Sequence, residues 1–236
     1  MNIFGTFAYG NIIKTFIPGI FIVFGMFLII DSVNFWTVDK YLLIEYGSKN
    51  PILAVALMIP VAIFSGILCN SFCFSWFTPK FIGKEYLEKN SEFEEYRKSL
   101  SGEIVSHYAN VLSIPDNLKD NFNKYTDINS LLLVRKDLSA LQYLRESYWY
   151  YLEFQVNSIV AVAIIALGST SHVLLRYNAD LMSGGAVFPY LFMVGLFAIL
   201  IIKLFWKAAK MNYKRHQEKT FSYLLGAYHV CKDGNK

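Results

Sequence analysis

Glu153 and Asn157 stand four residues apart in the stretch RESYWYYLEFQVNS, which runs directly into the apolar segment IVAVAIIALGS. On a helix that spacing puts a carboxylate and an amide on one face, shared with Glu146 and Tyr150. A charge carried into lipid is expensive, about 2.5–3.5 kcal/mol at the centre of a span and less near its end. Asn70, Ser71 and Ser75 fall at a similar depth of an earlier apolar run, and Lys203 arrives there near the end of the last one. Glu153, Asn157, Asn70 and Ser71 therefore form the candidate polar cluster. Two uses fit it. One is a static hydrogen-bonded clasp with a Glu153–Lys203 ion pair. The other is the inner mouth of an ion pathway, with Glu153 repeated as a ring of charge around a symmetry axis. At the opposite face, Asp31, Asp39 and Glu45 would add a cation-attracting rim.

A second constellation is basic. Lys203, Lys207, Lys210 and Lys214 recur at spacings of four, three and four, one stripe of a helix. The stripe fits snorkelling toward anionic lipid, or a site for a nucleotide or oligonucleotide. Pro18, Gly19 and Pro60 interrupt apolar runs and mark either packing geometry or a hinge. Gly25, Gly66 and Gly195 are places for close helix approach. Cys69 and Cys73 share a helix face and read as small buried thiols at a helix contact rather than a metal site. The four histidines are scattered, and the chain has no glycine-rich phosphate loop, HExxH or GxSxG. No catalytic residue, metal ligand or cofactor is assigned, and the chain is expected not to be an enzyme.

The elements that must position these groups are apolar spans. Hydrophobic residues make up 55% of the 236 and charged residues 17%, well under the share in soluble domains. Four runs, at about 16–33, 52–77, 148–169 and 186–206, are each long enough at 1.5 Å per residue to cross a core of about 30 Å. The start, MNIFGTFAYGNIIK, has neither a basic opening nor a small-residue cleavage site, so the first run is expected to be retained. Lys and Arg concentrate in the middle segment and the tail, while the two short connections hold only Lys40, Lys49 and Arg176. By the positive-inside rule both termini and the middle segment are cytoplasmic. Trp36, Trp76, Trp149 and Trp206 fall near the span ends, as an interfacial belt requires.

The middle segment is too long for a plain connector. Ser91 and Glu94 have capping-box spacing, and Phe93, Tyr96, Leu100, Ile104, His107, Tyr108 and Val111 recur with helical period. SIPDN breaks this helix. Asp127 then caps another, with Leu131, Val134, Leu138, Leu141 and Leu144 or Tyr148 as one stripe, continuing without a breaker into the third span. The helix near 91–112 covers part of that stripe, and self-association covers the rest. The last span likewise runs on through the basic tail. The fold class is thus an all-α integral membrane protein with four transmembrane helices, long helices extending into a cytoplasmic helical region. The expected parts are a transmembrane hairpin at 1–78, a helical insertion at 79–147, a second hairpin at 148–206 and a basic tail at 207–236.

This plan resembles small four-pass membrane proteins of bacterial anti-phage defence operons, such as the ion channel of the Hailong system and the membrane subunit of the Kiwa system. The resemblance lies in four spans, a helical cytoplasmic insertion, a basic tail and a composition rich in Asn, Lys, Ile and Phe. No signature motif carries it, so no site residue is transferred. It implies a component of the bacterial inner membrane that permeabilises that membrane or senses phage damage. Control would come from a soluble partner protein or a nucleic-acid signal. The expected function is an oligomeric gated ion channel or pore-forming effector, a homo-oligomer with four copies as the working number. The alternative is a non-conducting sensor or scaffold that recruits a cytoplasmic effector. The expected partners are membrane lipid, further copies of the chain, a soluble protein, and a nucleotide or oligonucleotide.

Overall fold

The computed structural model describes residues 12–38, 47–84, 86, 90–126, 139–178 and 183–233. Among them all regular structure is helical. A π-helical turn, Ile12–Phe16, leads into α1, Ile17–Val38. The second helix, α2, spans Pro51–Phe72 and continues as a π-helical segment, Cys73–Gly83. Then come α3, Ser91–Val111, and α4, Asp116–Tyr125. The two longest helices are α5, Ser139–Asn178, and α6, Gly184–Asp233. Four of these helices are long and apolar enough to cross a membrane.

Pro51 opens α2, a position where a missing N–H removes no helix bond. Pro18 falls where the π-helical turn passes into α1. Pro60 lies inside α2, which is nonetheless continuous through it. The end of α3 is closed by Ser113, whose φ of 53° lies in the left-handed region. Ile114 N–H bonds the Ala109 carbonyl and Ser113 N–H that of Asn110, a Schellman closure with serine where glycine is usual. The expected capping box does not form. Ser91 is already helical, and Glu94 bonds Arg97 one turn on, at 2.8 and 3.0 Å, instead of reaching back.

The chain falls into two compact units. The first, Met1–Lys80 with Tyr150–Met211, holds the most apolar stretches. Its helices touch at backbone distance through glycine. A Cβ at Gly19 would strike the Ala62 carbonyl, and one at Gly66 would strike that of Thr15, so α1 and α2 are antiparallel neighbours. A Cβ at Gly25 would lie 2.9 Å from the backbone of Ile164, and one at Gly168 would strike the Gly25 carbonyl. Lys14 meets Glu153 further back along the same pair, so α1 and α5 run parallel. Phe154 against Phe205 joins α5 to α6, ring centroids 5.8 Å apart. Gly195, the third expected contact glycine, faces open space within this chain. The most apolar window of α6 is only 6% buried, so that stretch presents hydrocarbon outward.

The second unit, Phe81–Trp149 with Asn212–Lys236, has its own core. Leu100 and Ile104 of α3 close on Tyr223, Leu224 and Ala227 of α6, with Leu141 of α5 alongside. The expected partner of α3 was the stripe from Leu131 to Leu144. Leu131, Val134 and Leu138 lie outside the described residues, as does Asp127, while Leu144 is exposed. Among the described residues, the end of α6 supplies the buried partners of α3, and Leu141 of the stripe packs against them. Gly226 does not break that helix, because its neighbours Leu224 and Ala227 are held in the core. Tyr96 and Val111, assigned to the buried face of α3, are more than half exposed.

Candidate functional site

The polar cluster gathers where π-helical segments join α-helices. Asn157 is fully buried on α5. Its Nδ2 donates to Asn70 Oδ1 of α2 at 2.8 Å and to the Lys14 backbone carbonyl at 2.6 Å. Glu153, one turn away on the same face, holds Lys14 Nζ at 2.7 Å. Lys14 also lies 5.1 Å from the centre of the Tyr150 ring. Lys14 belongs to the π-helical turn before α1, and Asn70 lies just ahead of the π-helical segment after α2. Wide π turns displace side chains from the α register and are frequent at functional sites. Here they bring a cation and an amide from two helices onto one face of α5.

The sequence placed Asn70 and Asn157 together, and the structure joins them by a direct hydrogen bond. It brings in neither serine. Ser71 and Ser75 are exposed and donate back to the carbonyls of Ile67 and Phe72. The ion-pair partner of Glu153 is Lys14, where Lys203 was expected; Lys203 is exposed. The missed residue had a signal. Lys14 lies two positions before the first apolar run, and parallel α1 and α5 bring that point level with Glu153.

Cys69 and Cys73 are free, buried thiols at this helix contact, 3.8 Å apart. Cys69 Sγ lies 3.9 Å from Asn157 Oδ1, so sulfur fills the space beside the amide. Among the described residues no group of three or more His, Cys, Asp or Glu is placed to hold a metal ion. Asp31, expected on an exposed rim, is fully buried. It lies three residues beyond Leu28, which packs near Gly168, and so shares the face of α1 turned to α5. Asp39 and Glu45 lie outside the described residues.

The hinge candidates differ from one another. Pro18 and Gly19 are buried, with Gly19 wedged against α2, whereas Pro60 is exposed. The basic stripe divides. In the first unit Lys203 and Lys207 are exposed, and Lys210 lies 5.8 Å over the Trp206 ring. In the second unit Lys214 faces Glu218 at 3.8 Å. An apolar cleft of about 280 Å³ opens between α5 and α6, lined by Val162, Ile165, Ala166, Met193, Val194 and Phe197.

The second unit carries a separate group of titratable residues. Trp149 lies against His216 with ring centroids 4.8 Å apart, and the Arg145 guanidinium sits 5.0 Å over Tyr223. His216 stands beyond the apolar stretch that ends at Trp206. Burial pushes its imidazole down to about 4, helped by the positive charges of Arg145 and Arg97. It is therefore neutral at ordinary pH.

No protein-family profile, no curated protein and no solved structure matches this chain.

Proposed function

We propose that the chain is a subunit of an oligomeric, gated ion channel of the bacterial inner membrane. Both termini and the helices between residues 79 and 147 are on the cytoplasmic side. The observation that carries this reading is the Lys14–Glu153 pair with the Asn157–Asn70 bond, buried among apolar helices. Ionisable groups in such helices are expensive and commonly mark ion pathways or gates. The pair is the latch of a closed state. Parting Lys14 from Glu153 frees a carboxylate to face a symmetry axis, where several copies make a cation-attracting ring. The largely unburied apolar face of α6 suits lipid and neighbouring copies alike. The plan-level resemblance extends the reading to a pore-forming effector of anti-phage defence, opened by a cytoplasmic partner or nucleotide signal.

The test is single-channel recording of the purified protein in planar bilayers. Glu153→Gln and Lys14→Gln should each raise open probability, and Glu153→Gln should lower the preference for cations. Silence from the wild type and from both variants sinks the channel reading.

A second reading is a non-conducting sensor or scaffold, favoured by one feature. Tyr96, Val111, Leu112 and Leu118 on and after α3 expose apolar side chains in a unit whose core is already filled. A soluble partner protein could dock there. Silent bilayers together with a partner co-purifying through these residues would select this reading.

A further inference from the structure

Tryptophan and lysine meet at one end of the apolar unit in a way that the linear stripe of lysines does not describe. Phe77, in the π-helical segment after α2, stacks edge-on against Trp206 of α6, centroids 5.6 Å apart. On the first of these segments Lys80 lies 4.9 Å over the Trp76 ring, and Trp76 stacks on Phe72. On α6, Lys210 lies 5.8 Å over the Trp206 ring. The helices α2 and α6 run in the same direction, because each is antiparallel to α5. Asn70 of α2 meets Asn157, and Phe205 of α6 meets Phe154. From the Phe77–Trp206 contact, Lys80 and Lys210 therefore continue toward the same end of the unit. Lys207, exposed and three residues before Lys210 on α6, adds a third cation to that helix.

We infer that Lys80 and Lys210, each seated on a tryptophan, with Lys207 of α6, form a site for the phosphate headgroup of an anionic phospholipid. Each component has its reason. Tryptophan settles at the boundary between hydrocarbon and water. A ring beneath an ammonium attracts it and holds the charge close to the tryptophan's own depth. Cations at that boundary attract acidic lipid by about 1 kcal/mol each. Adjoining apolar residues, exposed Phe72 and Leu204 among them, offer the acyl chains a surface continuous with the site. A soluble nucleotide would find the same charges but no use for that hydrocarbon. The site also ties the π-helical extension of α2 to α6, so occupancy should stabilise the first unit. The inference rests on the membrane-spanning reading and is independent of conduction.

The test uses the full-length protein in neutral detergent, with thermal unfolding and native mass spectrometry as readouts. Added phosphatidylglycerol should raise the unfolding midpoint and leave retained lipid adducts, while phosphatidylcholine at equal concentration should not. Lys80→Gln with Lys210→Gln should reduce that shift at least threefold, whereas Lys98→Gln on α3 should leave it intact. Should the double variant fold poorly, Lys207→Gln alone should give a smaller loss in the same direction. Equal shifts with phosphatidylcholine, or a shift unchanged in the double variant, overturn the proposal. So does an equal shift with inorganic phosphate or ATP at matched ionic strength, which would make this a soluble-anion site. Silent bilayers with lipid selectivity intact would remove the channel reading and leave this one standing.

Discussion

Removing one partner of the Lys14–Glu153 pair should destabilise the first unit far more than removing both. At 2.7 Å the two charges attract by about 6 kcal/mol at an effective dielectric constant near 20. Taking both out of water offsets most of that. The net worth of such a pair against apolar replacements is therefore small, but a stranded partner is costly, about 3–5 kcal/mol when deeply buried. The side chains of Lys14 and Glu153 are 15% and 8% exposed, so Lys14 keeps some access to water and the lower end, about 3 kcal/mol, applies. For a chain of this size that corresponds to a fall of about 6–12 °C in the unfolding midpoint. Lys14→Met and Glu153→Met should each show it, whereas the double variant should lie within about 1 kcal/mol of the parent. The assay is thermal unfolding of all four proteins in one detergent. Additive losses, with coupling below about 0.5 kcal/mol, would show that the two charges act independently and that the clasp is not a unit.

The glycine contacts give a graded series. Gly66→Ala and Gly168→Ala drive a methyl into a backbone carbonyl and should cost about 1–3 kcal/mol in the same melts, while Gly195→Ala, which meets nothing, should be neutral or stabilising. Topology is checked by membrane-impermeant thiol labelling of intact cells in a cysteine-free background. Positions 40 and 176 should label and positions 120 and 225 should not; labelling at 120 or 225 rejects the orientation. His216 sets a pH dependence. Its folded pKa of about 4 lies below the ordinary 6.5, so the unfolded chain takes up a proton first and stability falls as pH drops from about 6.5 toward 4. The full effect is about 3 kcal/mol. His216→Phe should flatten the dependence of the melt between pH 7 and pH 5, and an unchanged slope would assign the dependence to other groups.

The four long apolar helices were legible because mean hydropathy over about 20 residues outweighs any local signal. The Asn70–Asn157 contact was legible because cost in an apolar helix forces amides to find each other. Ser71 failed because a hydroxyl has a cheaper local solution, its own helix carbonyl at Ile67, and needs no partner across an interface. Lys203 failed as the partner of Glu153 for a geometric reason. Depth along a span says nothing about which way round the helix a side chain points, and parallel packing of α1 on α5 gave the place to Lys14. The pairing of α3 with the end of α6 was hidden by composition. Basic residues through Lys219 masked the Tyr223, Leu224 and Ala227 face that follows. The π-helical segments left no pattern in the sequence that hydrophobic periodicity can read.

The arrangement of charge and glycine along α1 and α5 argues for where motion begins. These helices are in backbone contact at Gly25 and Gly168, where neither glycine has a side chain to hydrogen-bond across the seam. At one end of the same seam, among the described residues, stands the cluster of Lys14, Glu153, Asn157 and Asn70. A glycine seam is smooth and the clasp is directional. A ligand or partner that bound the parted state better than the closed one by about 3 kcal/mol would offset the clasp and shift the balance roughly a hundredfold. Lys14 is carried on a π-helical turn, whose wider register differs from that of the α-helix it leads into. A gate built this way needs no large rearrangement of the spans. On the channel reading, Lys14→Gln and Glu153→Gln should therefore raise open probability, while Gly168→Ala should cost the same stability in those variants as in the parent because the Gly25–Gly168 contact is unchanged. A cost that disappears in those variants would place the motion at the seam and not at the clasp.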